Sequence, residues 1–373
     1  MIVRDNETWV EEQFGCSDLG DKRRAKRLEI VAKNMLESPE NSLPQQNTKW
    51  SDLKAAYRLF DNECVTFAAV CNQHWYTTRQ TKPGRYLLIS DTTDVSRNTH
   101  QATIGQGILG NGKGRGVQLH SCLVYNCNDR LIEGSAGASL YYRSLVPKNE
   151  TRAQRLRRVR ESELWGNLVT AVGPAPDGAS WIHVFDRGGD NFEAMCRVQQ
   201  TGCDWEIRAA KVNRNVIDEQ CEKRYLSEVI QDSELLDSYE LHLRSRQGIK
   251  ARTAQIDVSV ARVILQKPRQ RSPWLSQCDI SEITVNVVIV QESNAPQGVS
   301  PVCWVLLTSL PVETFDDAWQ VIEDYENRWL IEEYHKVIKT GCNIEGPALR
   351  TTERLEPVSY THLTLPTNTV TCG

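Results

Sequence analysis

No stretch of this 373-residue sequence approaches the roughly 18 consecutive apolar residues of a membrane span. The opening residues Met1 to Trp9 are charged and lack the apolar centre of a secretory leader. A membrane protein and a secreted one are therefore excluded on this reading, and a cytoplasmic location is expected. Charge of one sign is also missing, because 44 Lys and Arg stand against 48 Asp and Glu, leaving −4. A nucleic-acid partner thus cannot be inferred from overall charge and would need local basic patches. Cysteine is plentiful at twelve, but no CxxC pair or metal-finger spacing occurs, which removes a zinc module and leaves reduced thiols as the expectation. Internal repeats are absent.

What is present begins with helical periodicity. From Ser17 to about Trp75, apolar residues recur at helical spacing: Leu28, Val31 and Met35, then Leu53, Ala56, Tyr57 and Phe60, then Phe67, Val70, Cys71, His74 and Trp75. Ser17, Ser51 and Thr66 stand ahead of these runs as candidate caps, so three helices are expected.

Beyond Pro83 the pattern turns to short apolar runs: Tyr86 to Ile89, Val117 to Tyr125, Leu131 to Ala138, Trp181 to Phe185 and Trp205 to Ile207. An Arg-rich helical stretch from about Thr151 to Val172 separates the third run from the fourth, and a helix from Asn191 to Gln200 separates the fourth from the fifth. Three strands followed by alternating helix and strand is the order used by ribonuclease-H-like folds. Further alternating runs between Tyr239 and Val290 predict a β-rich insertion, after which the chain returns to a strand, Val302 to Thr308, and a long helix from about Phe315 to Lys339. The fold class expected is α/β: a mixed-sheet, ribonuclease-H-like core with an N-terminal helical domain and a β-rich insertion.

On that last helix Tyr325, Arg328, Glu332, His335 and Lys339 follow i, i+3, i+7, i+10 and i+14 and share one face. A solvated face laced with ion pairs would produce such a stripe. A stripe turned toward a site is the competing reading, because Ile322, Trp329, Ile331 and Val337 already offer packing surface elsewhere on the helix. Two aspartates close strand-like runs, Leu87-Leu88-Ile89-Ser90-Asp91-Thr92-Thr93 and Val184-Phe185-Asp186-Arg187. Each alone could be a turn former. Two strand ends and one helix face can, however, bring three carboxylates to one edge of a sheet.

The spacing Tyr325-x2-Arg328-x3-Glu332-x6-Lys339 resembles the YREK signature of bacterial cut-and-paste insertion-sequence transposases of the DDE type. The resemblance implies that Asp91, Asp186 and Glu332 form a catalytic, metal-binding triad for Mg²⁺ or Mn²⁺, two ions being expected. Hard oxygen ligands suit those ions, and a two-ion site suits in-line phosphoryl transfer. It further implies that Tyr325, Arg328, Lys336 and Lys339 hold DNA, that Trp304 stacks on a flipped base, and that Arg208 and Arg214 line the DNA channel. A core tryptophan is the plainer reading of Trp304.

Local cations are at hand. Lys22-Arg23-Arg24-Ala25-Lys26-Arg27 puts five charges in six positions, and its setting Leu19-Gly20-Asp21 resembles the end-binding segment of the same transposases, so Lys22, Arg23, Arg24 and Arg27 are expected on DNA. Arg152, Arg155, Arg157, Arg158 and Arg160 form a second basic cluster. Gly105-x-Gly107-x-x-Gly110 fits a dinucleotide fingerprint and Gly107 to Lys113 nears a P-loop, but Gly114 stands where Ser or Thr is needed. A mobile, glycine-rich hairpin facing DNA is expected there instead.

The resemblance spans roughly Trp9 to Thr352. It divides the chain into an end-binding domain at 1–76, core segments at 77–215 and 301–356, and an insertion at 216–300. The partners it implies are double-stranded DNA, as element terminal repeats and target, and a second protomer on DNA in full-length relatives. Residues 357–373 show no helical period and five Thr, so a non-native, disordered tail and a truncated core are expected. A nuclease or resolvase of the same fold, and an inactive DNA-binding regulator, are the alternatives.

Overall fold

In the computed structural model, which describes residues 5–99, 102–110, 112–245, 250–347 and 349–364, the N-terminal segment folds as five helices. These are α1 (Asn6–Phe14), α2 (Lys22–Glu37), the single turn α3 (Leu43–Gln46), α4 (Trp50–Phe60) and α5 (Phe67–Arg79). The expected runs Leu28, Val31, Met35 and Leu53, Ala56, Phe60 are buried, as periodicity requires. Thr66 caps α5 as expected, its side chain accepting from the Ala69 N–H at 3.2 Å. The other two caps fall elsewhere. Asp21, not Ser17, accepts from the Arg23 N–H at 2.8 Å to start α2, and Ser51 lies inside α4. A carboxylate one residue before the basic run is the better acceptor there, since it also meets the helix dipole.

Four strands follow: β1 (Gly84–Ser96), β2 (Gly107–Leu109), β3 (Gly114–Asn126) and β4 (Leu131–Tyr141). β3 is central, antiparallel to β1 on one side and to β4 and the short β2 on the other. β1 continues five residues past Asp91, which therefore sits within the strand rather than at its end. Asp91 pairs with Ser121 and Thr92 with His120 across the ladder, and this pairing carries the strand onward. The glycine-rich segment runs through β2 into β3, and its start is held against the chain near Thr352. Gly105 has φ +93°, and a Cβ on it would lie 2.4 Å from Thr352 Oγ1. The Ile104 N–H donates to the Arg350 carbonyl and the Thr352 N–H donates back to Ile104.

The next elements are α6 (Arg152–Arg157), α7 (Glu163–Val172), β5 (Ala179–Phe185), α8 (Phe192–Gln200), β6 (Asp204–Arg208), β7 (Asn215–Ile217), β8 (Lys223–Tyr225), α9 (Leu226–Gln231), β9 (Glu234–Leu243), β10 (Arg252–Gln266), α10 (Pro273–Gln277), β11 (Glu282–Glu292) and β12 (Cys303–Thr308). The Arg-rich stretch expected as one helix is thus two. Like charges at i,i+3 spacing oppose α6, whereas α7 buries Leu164, Trp165, Leu168, Val169 and Val172. The side chains of Arg152 and Arg157 lie outside the described residues. β5 runs parallel to β6, β6 pairs antiparallel with β12, and β12 continues through β11 to β10. The strands of the β-rich insertion therefore continue the sheet that holds β6.

The long terminal helix is interrupted. α11 (Phe315–Glu326) opens with a capping box between Thr314 and Asp317 and stops at Asn327, whose side-chain amide donates to the Glu323 carbonyl at 2.9 Å. Local side-chain bonding of this kind competes with the helical ladder. α12 (Trp329–Lys336) follows and loosens into a π turn over Val337–Gly341. The five stripe residues are accordingly divided among α11, the turn after it, α12 and the π turn, and Trp329, expected to pack, is 53% exposed. Beyond Pro357, where order was expected to end, α13 (Thr352–Thr364) continues, with Leu355 and Val358 buried three residues apart. Two apolar positions proved sufficient once neighbouring helices supplied a surface. Residues 365–373 lie outside the described residues.

Two compact units result. Met1–Thr151, Ala171–Ser180 and Trp329–Gly373 make the first, and Arg152–Thr170 with Trp181–Arg328 the second. The eleven cysteines among the described residues are free thiols. No helix among them is long and apolar enough to cross a membrane.

Candidate functional site

In the first unit, α12 packs against β1, and this places the helix bearing Glu332 on the strand bearing Asp91. The lock is specific. His335, one turn after Glu332 and buried, is hydrogen-bonded through Nε2 to the Ser121 hydroxyl at 2.9 Å, and Ser121 is the residue opposite Asp91 on β3. Asp91 is half-buried and accepts the Thr92 N–H at 2.7 Å, while the Thr92 hydroxyl bonds His120 Nδ1 at 2.8 Å. Burial holds His120 down to about 3, so its ring stays neutral. Glu332 is exposed, as is Lys336, which lies 3.7 Å from Glu333. Lys339 falls in the π turn and is half-buried.

In the second unit, Asp186 ends β5 as expected. Its Oδ1 accepts the Gly188 N–H at 2.7 Å and caps a short 3₁₀ turn, Arg187–Gly189. The loop behind it is fastened by Asp190, which accepts the Ala210 N–H at 2.6 Å and forms an ion pair with Arg214. Arg214, expected to line a DNA channel, thus spends its guanidinium on that loop and also donates to the Lys211 carbonyl. Position in the chain could not show this, because Asp190 becomes its partner only through the β5–β6 crossover.

Close by in the same unit, Tyr325, Trp304, Arg208 and Arg328 form one aromatic and cationic group. The Trp304 and Tyr325 rings meet edge to face at 5.5 Å, Arg208 lies 5.8 Å over the indole and Arg328 5.9 Å over the phenol. Trp304 is half-buried, so it is neither a sealed core residue nor a free one. Burial pushes the Tyr325 phenol above its ordinary range, with the Asp186 charge adding to the rise and Arg328 and Arg208 opposing it. Trp304, Tyr325, Arg208 and Arg328 thus stand together, with Tyr325 buried against Trp304 rather than presented to solvent.

Several cations of the basic run on α2 have partners within the protein. Arg23 pairs with Asp21 at 2.8 Å and holds that carboxyl down to about 2. Arg24 donates to the Leu19 carbonyl at 2.7 Å, Lys26 pairs with Glu29 at 2.6 Å and Arg27 with Asp52 at 3.2 Å. Much of that charge is answered within the protein.

Against this geometry the comparison with known families is direct. Residues 6–65 match the transposase DNA-binding family model. The match covers α1 to α4 and their loops, supports DNA as a partner of this segment, and supports a transposase role for a DNA-processing enzyme. It ends well short of Asp91, Asp186 and Glu332, out of 373 residues.

The donor chemistry of those three residues, carboxylate oxygens alone, fits a hard divalent cation. Among the described residues, no group of three or more His, Cys, Asp or Glu is drawn together to hold a metal ion. Asp91 and Glu332 belong to the first unit and Asp186 to the second.

Proposed function

We propose that the chain is a DDE-type transposase with a ribonuclease-H-like core, cutting and joining DNA at the ends of an insertion sequence. The observation that carries this reading is the transposase DNA-binding match at residues 6–65 in a chain whose residues 325–339 keep the YREK spacing. The antiparallel trio β4, β3, β1 and the parallel pair β5, β6 have the strand composition such a core needs. Asp91, Asp186 and Glu332 would hold Mg²⁺ or Mn²⁺, which when bound supplies charge stabilisation for in-line phosphoryl transfer. The chain's own residues orient the parts. His335 and Ser121 seat α12 on the strand pair, and Asp190 with Arg214 steadies the turn after Asp186. Arg208 and Arg328 place positive charge beside Trp304 and Tyr325, where a phosphate backbone and an unstacked base can be held. A second protomer on DNA is part of the same proposal.

The test uses the purified chain with Mg²⁺ or Mn²⁺ and supercoiled plasmid carrying the DNA that flanks the gene. Nicking is expected, and Asp91→Asn, Asp186→Asn or Glu332→Gln should each lower it at least about a hundredfold while gel-shift affinity persists. Binding without nicking by the unaltered chain would favour an inactive regulator. Cutting without strand transfer would favour a nuclease.

A further inference from the structure

β3 is filled by Leu119, Cys122, Leu123 and Val124, all fully buried, and among them stands His120, also at 0% exposure. Sealing an imidazole away from water costs more than sealing a leucine unless its ring is hydrogen-bonded, so packing alone does not ask for histidine here. The ring's partners belong to the strand of the candidate triad. His120 Nδ1 lies 2.8 Å from the Thr92 hydroxyl, directly across the β1–β3 ladder, and the Asp91 main chain hydrogen-bonds the same ring. Thr92 in turn donates its N–H to Asp91 Oδ1 at 2.7 Å. Side chains alternate along a strand, so Asp91 and Ser121 share one face of the sheet while Thr92 and His120 share the other. The Ser121 face is the one that His335 of α12 meets at 2.9 Å. Asp91 is thus tied from both faces, from one through its cross-strand neighbour Ser121 and from the other through Thr92 and His120.

We infer that His120 is a positioning residue for Asp91: through the Thr92 hydroxyl it fixes the peptide whose N–H holds one carboxylate oxygen, and so sets the direction in which Asp91 presents its charge. This deepens the proposed function and rests on its reading of Asp91 as a ligand for Mg²⁺ or Mn²⁺. β1 runs on through Asp91 with no turn to fix the carboxylate locally, so its orientation has to come from across the ladder. A carboxylate ordered before a cation arrives leaves less to be ordered on binding. Hydrogen-bonding groups behind a metal ligand typically govern affinity and activity by about 10–100-fold. The His120 ring lies on the opposite face from the carboxylate, so it acts through Thr92 and the main chain, not by contact with a reacting atom.

The test is the Mn²⁺ affinity of the full chain, read by electron paramagnetic resonance of free Mn²⁺ at a temperature where each variant is folded. Thr92→Val, which keeps the bulk and removes the hydroxyl, should raise the Mn²⁺ Kd about tenfold and lower nicking in Mg²⁺ by about 10–100-fold, with gel-shift affinity for DNA unchanged. Thr92→Ser, which keeps the hydroxyl, should stay within about threefold of the unaltered chain. His120→Leu should match Thr92→Val, and His120→Asn, whose amide reaches the place of Nδ1, should match Thr92→Ser. The two pairs report independently, so failure of one variant to fold leaves the other pair to decide. A bond serving stability alone would lower Tm when broken and leave the Kd unmoved. An unchanged Kd in folded Thr92→Val or His120→Leu, beside a weakened Asp91→Asn, would therefore overturn the positioning role and leave the metal reading of Asp91 intact. An Asp91→Asn chain that binds Mn²⁺ as tightly as the unaltered one would overturn that reading, and the positioning role with it.

Discussion

His335 Nε2 and the Ser121 hydroxyl lie 2.9 Å apart in a buried hydrogen bond, and Ser121 faces Asp91 across the β1–β3 ladder. The helix carrying Glu332 is thereby keyed to the strand position of Asp91. His335→Ala should destabilise the fold by about 2–4 kcal/mol, combining a cavity with an unsatisfied hydroxyl. In a double-mutant cycle with Ser121→Ala the coupling should be about 0.5–1.5 kcal/mol by chemical denaturation. Strictly additive losses would show that the two residues do not act together.

Trp304 is half-buried between Tyr325 and Arg208. Trp304→Ala should cost about 1–2 kcal/mol of stability, less than a sealed core tryptophan would. If the indole also receives an unstacked base, DNA hairpin formation should fall roughly tenfold to a hundredfold more than first-strand nicking does. Equal loss of both steps would remove the base-stacking role.

His183 sits in β5, buried, with neither ring nitrogen hydrogen-bonded among the described residues. Burial holds it down to about 3 from an ordinary 6.5, so the unfolded chain takes up a proton that the folded chain refuses. Stability is therefore intact above about pH 6.5 and is lost as pH falls from there toward 3. His183→Leu should flatten that loss by up to about 1.4 kcal/mol per pH unit, without forfeiting a hydrogen bond. Urea unfolding between about pH 5 and 7 measures it, and an unchanged slope would show that the ring titrates normally.

Gly105 is held at φ +93° with Thr352 against it. Gly105→Ala meets both a disfavoured backbone and a 2.4 Å clash, so a loss of about 1–3 kcal/mol is expected in thermal unfolding. Adding Thr352→Ala should recover part of it, since only the clash is relieved. No recovery would assign the whole cost to the backbone.

Periodicity located the nine longer strands and the apolar faces of α2, α4 and α5, because burial of one face leaves its mark residue by residue. Asp186 could be read as a strand terminus from its own neighbours. Asp91 could not, since Thr92 and Thr93 look like a turn until their pairing with His120 and Leu119 extends the strand. The interruption at Asn327 was hidden for a similar reason: nothing in the stripe from Tyr325 to Lys339 reveals which carbonyl the Asn327 amide will take.

By itself the sequence determined the helical N-terminal segment, the mixed sheet and helix composition, and the spacing of Tyr325, Arg328, Glu332 and Lys339, all of which are local patterns. Only the tertiary structure decided which charges are spent inside the protein. Arg23, Arg24, Arg27 and Arg214 read alike with Lys54 and Arg58 as cations, yet the first four meet Asp21, the Leu19 carbonyl, Asp52 and Asp190, whereas Lys54 and Arg58 form no ion pair among the described residues. It also decided that Pro357 lies within a helix, because α13 gains its stability from burying Leu355 and Val358 against neighbours far away in sequence. A partner across the fold contributes energy that no window of sequence contains.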